Sequence, residues 1–178
     1  SEYVDAKSGV SARMSITAFE NLLSSSERRM LLSGAADTKV RVSDFMGVIP
    51  AITGKIELVY EGEQEGAAFV AETLLEEAIK NIFPNYFPKI SKLEKKGEPT
   101  PYDELIAWFF DSDGFELFDE DSDEVFLKKL DSIPPLNELI REFGGDIPDS
   151  DHYFLKELLL WGLVSHKKLS KYRFQNGV

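Results

Sequence analysis

Between Ser150 and Val164 the chain places Phe154, Leu155, Leu158, Leu159, Trp161 and Leu163, apolar residues that point to more than one side of a helix. A helix of that kind cannot leave a broad face in water, so other elements must surround it. The spacing therefore predicts a buried central helix, and the preceding sequence supplies short helices to pack on it. Tyr102–Phe110, Asp123–Leu130 and Leu136–Phe143 each carry helical periodicity and are separated by proline or acidic turns.

The first half also reads as helical. Ser8-Gly9-Val10-Ser11 offers hydroxyls to cap a helix start, and Ala12, Ile16, Phe19, Leu23 and Met30 then follow on one helical face. Gly34 supplies a stop. Val40-Arg41-Val42-Ser43-Asp44 predicts a short helix through Val48 or Ile49, capped by Ser43 or Asp44, with Pro50 marking a break or a new start. Lys55–Tyr60 fits either a short strand or a helical turn, and Glu61–Gly66 an acidic loop. A second helix is expected from Ala67 to Phe83, burying Phe69, Leu74, Ile79 and Phe83, with Pro84 ending it. The expected fold is mainly α, a bundle-like first part followed by a second small helical subdomain.

The run Lys-Leu-Glu-Lys-Lys-Gly-Glu-Pro-Thr over 92–100 is a solvated linker, and charge shifts across it. Residues 1–92 hold 13 acids and 10 bases, net -3; residues 93–178 hold 19 and 10, net -9; together they give the -12 of the chain. The expected division is 1–92 and 93–178. Such an acidic surface repels phosphates on average, which argues against nucleic acid as a partner. Lys167, Lys168, Lys171 and Arg173 form a basic tail, but cations after a helix complement its dipole without any ligand.

Several chemistries are excluded. Without cysteine there is no disulfide, thiolate–zinc site or cysteine nucleophile, and a reducing compartment fits. No apolar run reaches the ~20 residues of a membrane span, and Ser1–Asp5 is unlike a signal peptide. The missing initiator methionine suggests a start inside a longer protein or after a removed tag. His152 and His166 belong to no zinc motif or catalytic triad. Asp111-Ser112-Asp113-Gly114 begins like a calcium loop. Its closing carboxylate, due about twelve residues from the first ligand, is replaced by Ser122, and Gly114 comes too early, so a solvated acidic loop is expected. Neither G-x-x-x-x-G-K-[ST] nor G-x-G-x-x-G occurs, so nothing here cradles nucleotide phosphates by itself.

One set of segments is more specific. Ser8-Gly9-Val10-Ser11-Ala12-Arg13, Glu27-Arg28-Arg29, Val40–Asp44 and above all Pro50–Gly66 (PAITGKIELVYEGEQEG) resemble the C-terminal lid of bacterial ATPases similar to the magnesium chelatase ATPase subunit, in the AAA+ superfamily. The resemblance covers about residues 4–90. It implies an upstream α/β domain of the same protein that holds ATP and magnesium. It implies a ring-forming homo-oligomer in the cytoplasm, and a protein that is an ATPase only when complete, with no cofactor bound by this chain alone. It also implies that Arg13, in a Ser-x-Arg context, is the sensor-2 arginine that reaches the γ-phosphate. Arg28 and Arg29 either pair with acids of the lid or face a neighbouring subunit. The alternative is a free-standing helical adaptor that binds a basic protein.

Overall fold

A computed structural model describes residues 12–53, 55, 64–90, 99–112 and 114–171. The Ser8–Ser11 cap, most of the 54–63 segment, the core of the 92–100 linker, Asp113 and Arg173 lie outside the described residues. The fold is mainly helical, and no strand occurs among the described residues. No helix there is long and apolar enough to cross a membrane.

Among the described residues seven α-helices follow in order: α1 (Ala12–Ser33), α2 (Ile49–Thr53), α3 (Ala67–Ile82), α4 (Asp103–Asp111), α5 (Asp123–Asp131), α6 (Pro134–Phe143) and α7 (His152–Ser165). Short 3-10 segments occupy Val42–Val48, Phe83–Asn85 and Asp149–Asp151. The described chain forms two compact units. One comprises residues up to Ala78 together with Leu117–Lys128, the other Ile79–Glu116 together with the chain from Lys129. This grouping differs from a division at 92/93, because 79–90 joins the second unit and 117–128 the first. Composition marks where solvated residues gather, whereas the grouping follows which backbone segments pack together.

In the first unit α1 packs against the 3-10 segment Val42–Val48 and against α2. Gly34 ends α1 as expected. Its φ of 69° is the left-handed conformation that glycine adopts without a Cβ penalty, and Ala35 N–H returns to the Met30 carbonyl at 3.1 Å. Val48, Ile52 and Ala71 form a small core, covered by Ala18, Leu22, Ile49, Leu74 and Leu75. Two readings of the apolar pattern need correction. On α1 the inward face is Ala18, Leu22, Ser26 and Arg29, while Ile16, Phe19 and Leu23 of the expected stripe are exposed. On α3, Val70 and Ala71 are buried and Phe69 is largely exposed. Periodicity locates a face, but here small residues let the backbones approach and the larger apolar neighbours stay outside. Pro50 starts rather than breaks a helix, within the first turn of α2 where its missing N–H costs nothing.

The second unit matches the sequence more closely. In α7, Leu155, Leu158, Leu159, Leu160 and Leu163 are buried, as its all-round apolar surface requires. α6 packs on α7 and on α4, contributing buried Leu136, Leu139 and Ile140. The Phe83 ring lies 5.2 Å from Phe87, 6.0 Å from Tyr102 and 5.8 Å from His166. Gly162 of α7 lets that ring approach, since a Cβ there would stand 2.1 Å from Phe83 Cδ2. Tyr102 donates its hydroxyl to the Pro88 carbonyl at 2.5 Å, and burial pushes its phenol well above the ordinary tyrosine value.

Candidate functional site

Arg13 is the second residue of α1 and its side chain is exposed. One turn further, the Thr17 hydroxyl donates to the Arg13 carbonyl at 3.0 Å. The same hydroxyl accepts from the Lys55 ammonium at 2.5 Å. Residues four apart on a helix are surface neighbours, about 5–6 Å between Cβ atoms. Lys55 Nζ is therefore held one helical turn along α1 from Arg13, near the N-terminal end of that helix. Helix dipoles make that end positive, so cations gathered there gain from an added anion. Lys55 carries no signal in the sequence, because only the fold returns residue 55 to the start of α1. Nothing among the described residues gathers three or more histidine, aspartate or glutamate side chains around a metal ion.

A second constellation lies inside the first unit. Arg29 projects from the inward face of α1, and Arg41 precedes the Val42–Val48 turn. Asp44 enters from the third position of that turn, where its carboxylate accepts the Arg41 backbone N–H at 2.8 Å. It acts from within the turn, while the capping position itself is Arg41 and not Ser43 or Asp44. Arg29 Nη2 donates to Asp44 at 2.8 Å, and Arg29 Nη1 to Asp123 at 2.7 Å. Arg41 Nη2 donates to the same Asp123 oxygen at 2.7 Å and to the Asp121 carbonyl at 2.7 Å. The Arg41 guanidinium lies 3.9 Å from the centroid of the Phe126 ring. Thr38 Oγ1 at 3.0 Å and the Lys39 amide at 3.2 Å complete the shell of Asp123.

Two buried cations and two carboxylates thus balance. Arg41 is 1% exposed and Arg29 is also buried, so neither can reach a ligand outside. Partial burial works against ionising Asp123, yet hydrogen bonds from Arg41 and Thr38 and the charges of both arginines outweigh it, holding its carboxyl below the usual range. Of the two roles open to Arg29, pairing with acids is the one observed. Asp123, at the end of the acidic stretch expected to be a solvated loop, instead ties 117–128 to the arginines of the first unit. A pairing across 94 residues leaves no signature in spacing.

In the second unit, a shallow depression of about 400 Å³ is lined by Asp131, Asn137, His152 and Lys156 among others. Its polar groups are mostly engaged with each other. Lys156 pairs with Asp131, Asn137 Nδ2 donates to the Asp131 carbonyl at 2.7 Å, and His152 Nε2 meets the Ile147 carbonyl at 2.9 Å. His152 and His166 stand at the two ends of α7. Of the basic tail, Lys167 and Lys168 follow the end of α7, and Lys171 Nζ lies 3.6 Å from the centroid of the Trp161 ring. No family model matches the chain, and comparison with curated proteins and with solved structures finds no match.

Proposed function

We propose that the chain is the helical lid, with its C-terminal extension, of a magnesium chelatase-like AAA+ ATPase. In this reading an upstream domain of the same protein binds ATP and magnesium, and the complete protein works as a ring-forming oligomer in the cytoplasm. Arg13 acts as the sensor-2 residue. What carries the proposal is its position, exposed in the first turn of α1 while the inward face of that helix anchors the unit. A guanidinium held there suits the γ-phosphate, because it bonds phosphate oxygens in two places and stabilises charge that grows in the transition state. Lys55, tied to Thr17, adds a second positive charge close by. Phosphate release would remove the contact and free the lid to move, which couples hydrolysis to remodelling of a partner.

The test uses the product of the complete reading frame. Arg13→Ala should lower turnover about a hundredfold while nucleotide affinity changes far less, because the contact is worth most in the transition state. Turnover that is unchanged, or that falls only as far as binding does, overturns the assignment. The second reading, a free-standing helical adaptor, draws on the exposed apolar residues of α1. A Walker A sequence upstream of Ser1 in the reading frame decides for the ATPase, and a start codon close to Ser1 for the adaptor.

A further inference from the structure

The apolar stripe of α1 is uncovered over about two turns. Ile16 is 62% exposed, Phe19 59% and Leu23 39%, and half-buried Met30 lies further along the same side. From 16 to 30 these residues span about 21 Å of helix at 1.5 Å per residue. Steps of three, four and seven place them on one seam, the spacing with which a helix receives a single partner helix. Buried Ser26 marks one edge of the seam, toward the inward face of the unit. Glu20 and Glu27 mark the other edge, each four residues beyond an apolar member, at Ile16 and Leu23. Both glutamates are exposed, and no ion pair engages either among the described residues.

We infer that this seam docks one amphipathic helix of a protein partner whose flanking positions carry lysine or arginine. Apolar contact along Ile16, Phe19 and Leu23 supplies the attraction, and the two unpaired glutamates select the charge of the partner. A second copy of the chain is the less suited occupant. It would bring the same two glutamates and a further net charge of -12. This inference is independent of the ATPase reading and survives its failure.

The probes are two designed helical peptides with the same leucine seam, one flanked by lysine and the other by glutamate, titrated calorimetrically into the chain. The lysine-flanked peptide should bind at least about tenfold more tightly. Phe19→Asp with Leu23→Asp should weaken it about tenfold with helix content unchanged. Glu20→Lys with Glu27→Lys should reverse the preference between the two peptides, a result that general acidity of the protein cannot give. Because it replaces only exposed side chains, this reversal tests the inference even if the aspartate pair disturbs the fold. Three outcomes overturn it: equal binding of the lysine peptide after charge reversal, no binding of either peptide, or a dimer of the chain itself that the aspartate substitutions dissolve.

Discussion

Replacing Asp123 with alanine should destabilise the first unit by about 3 kcal/mol. The carboxylate accepts from Arg29 and Arg41 at 2.7 Å each, and both arginines are buried. After its removal, Asp44 still pairs Arg29 at 2.8 Å, but Arg41 keeps only the Asp121 carbonyl and the Phe126 ring. Arg41 Nε and Nη1 already lack hydrogen-bond partners among the described residues, so most of the guanidinium would be left unsatisfied. Leaving a buried charge without its partner costs about 3–5 kcal/mol. The lower end applies because the Asp123 side chain is 29% exposed and water can enter beside it. With a urea slope of about 2 kcal/mol per molar, the unfolding midpoint should fall by about 1.5 M. Far-UV circular dichroism is the suitable probe, since both tryptophans, Trp108 and Trp161, belong to the second unit. The control is Glu124→Ala, one residue along, which removes only an exposed pair with Lys128 and should leave the midpoint where it is. Adding Arg41→Met to Asp123→Ala should restore much of the loss, because it removes the orphaned charge and keeps an apolar contact with Phe126. A midpoint for Asp123→Ala no lower than that of Glu124→Ala would show that Asp123 does not hold the two arginines in place.

Two further outcomes follow from the packing and the charges. Gly162→Ala should cost about 1–3 kcal/mol, read as a lower thermal midpoint, because its methyl would meet the buried Phe83 ring at 2.1 Å. Stability should also fall in acid. The folded-state pKa of Asp123 lies below its unfolded value, so its contribution is present above about pH 4 and is lost as pH falls through the lowered value. In urea titrations at descending pH, Asp123→Ala should flatten that loss.

The second unit was legible because its sequence signals are local. The apolar crowding of α7 requires burial, and the prolines at 134 and 135 mark the first turn of α6. In the first unit the helices were legible but their orientation was not. The 16–19–23 spacing marks a real stripe, yet Ala18 and Leu22 form the buried contact. Small and polar residues such as Ser26 and Arg29 carry no hydrophobic signal, so the inward face of α1 could not be read from periodicity. The ion network hid for a different reason: its acids at 44 and 123 and its bases at 29 and 41 meet only once the chain has folded. The proposed role of Arg13 rests on resemblance, and Lys55 joins that end of α1 only through the hydrogen bond that brings it to Thr17.

In the proposed reading this chain contributes one half of a nucleotide site, and an upstream domain would supply the other half. ATP hydrolysis measured side by side for the 178-residue chain and for the product of its complete reading frame tests that claim most directly. Turnover is expected from the complete protein and none from the isolated chain. Turnover by the isolated chain, or a complete protein with no ATPase activity, would contradict it.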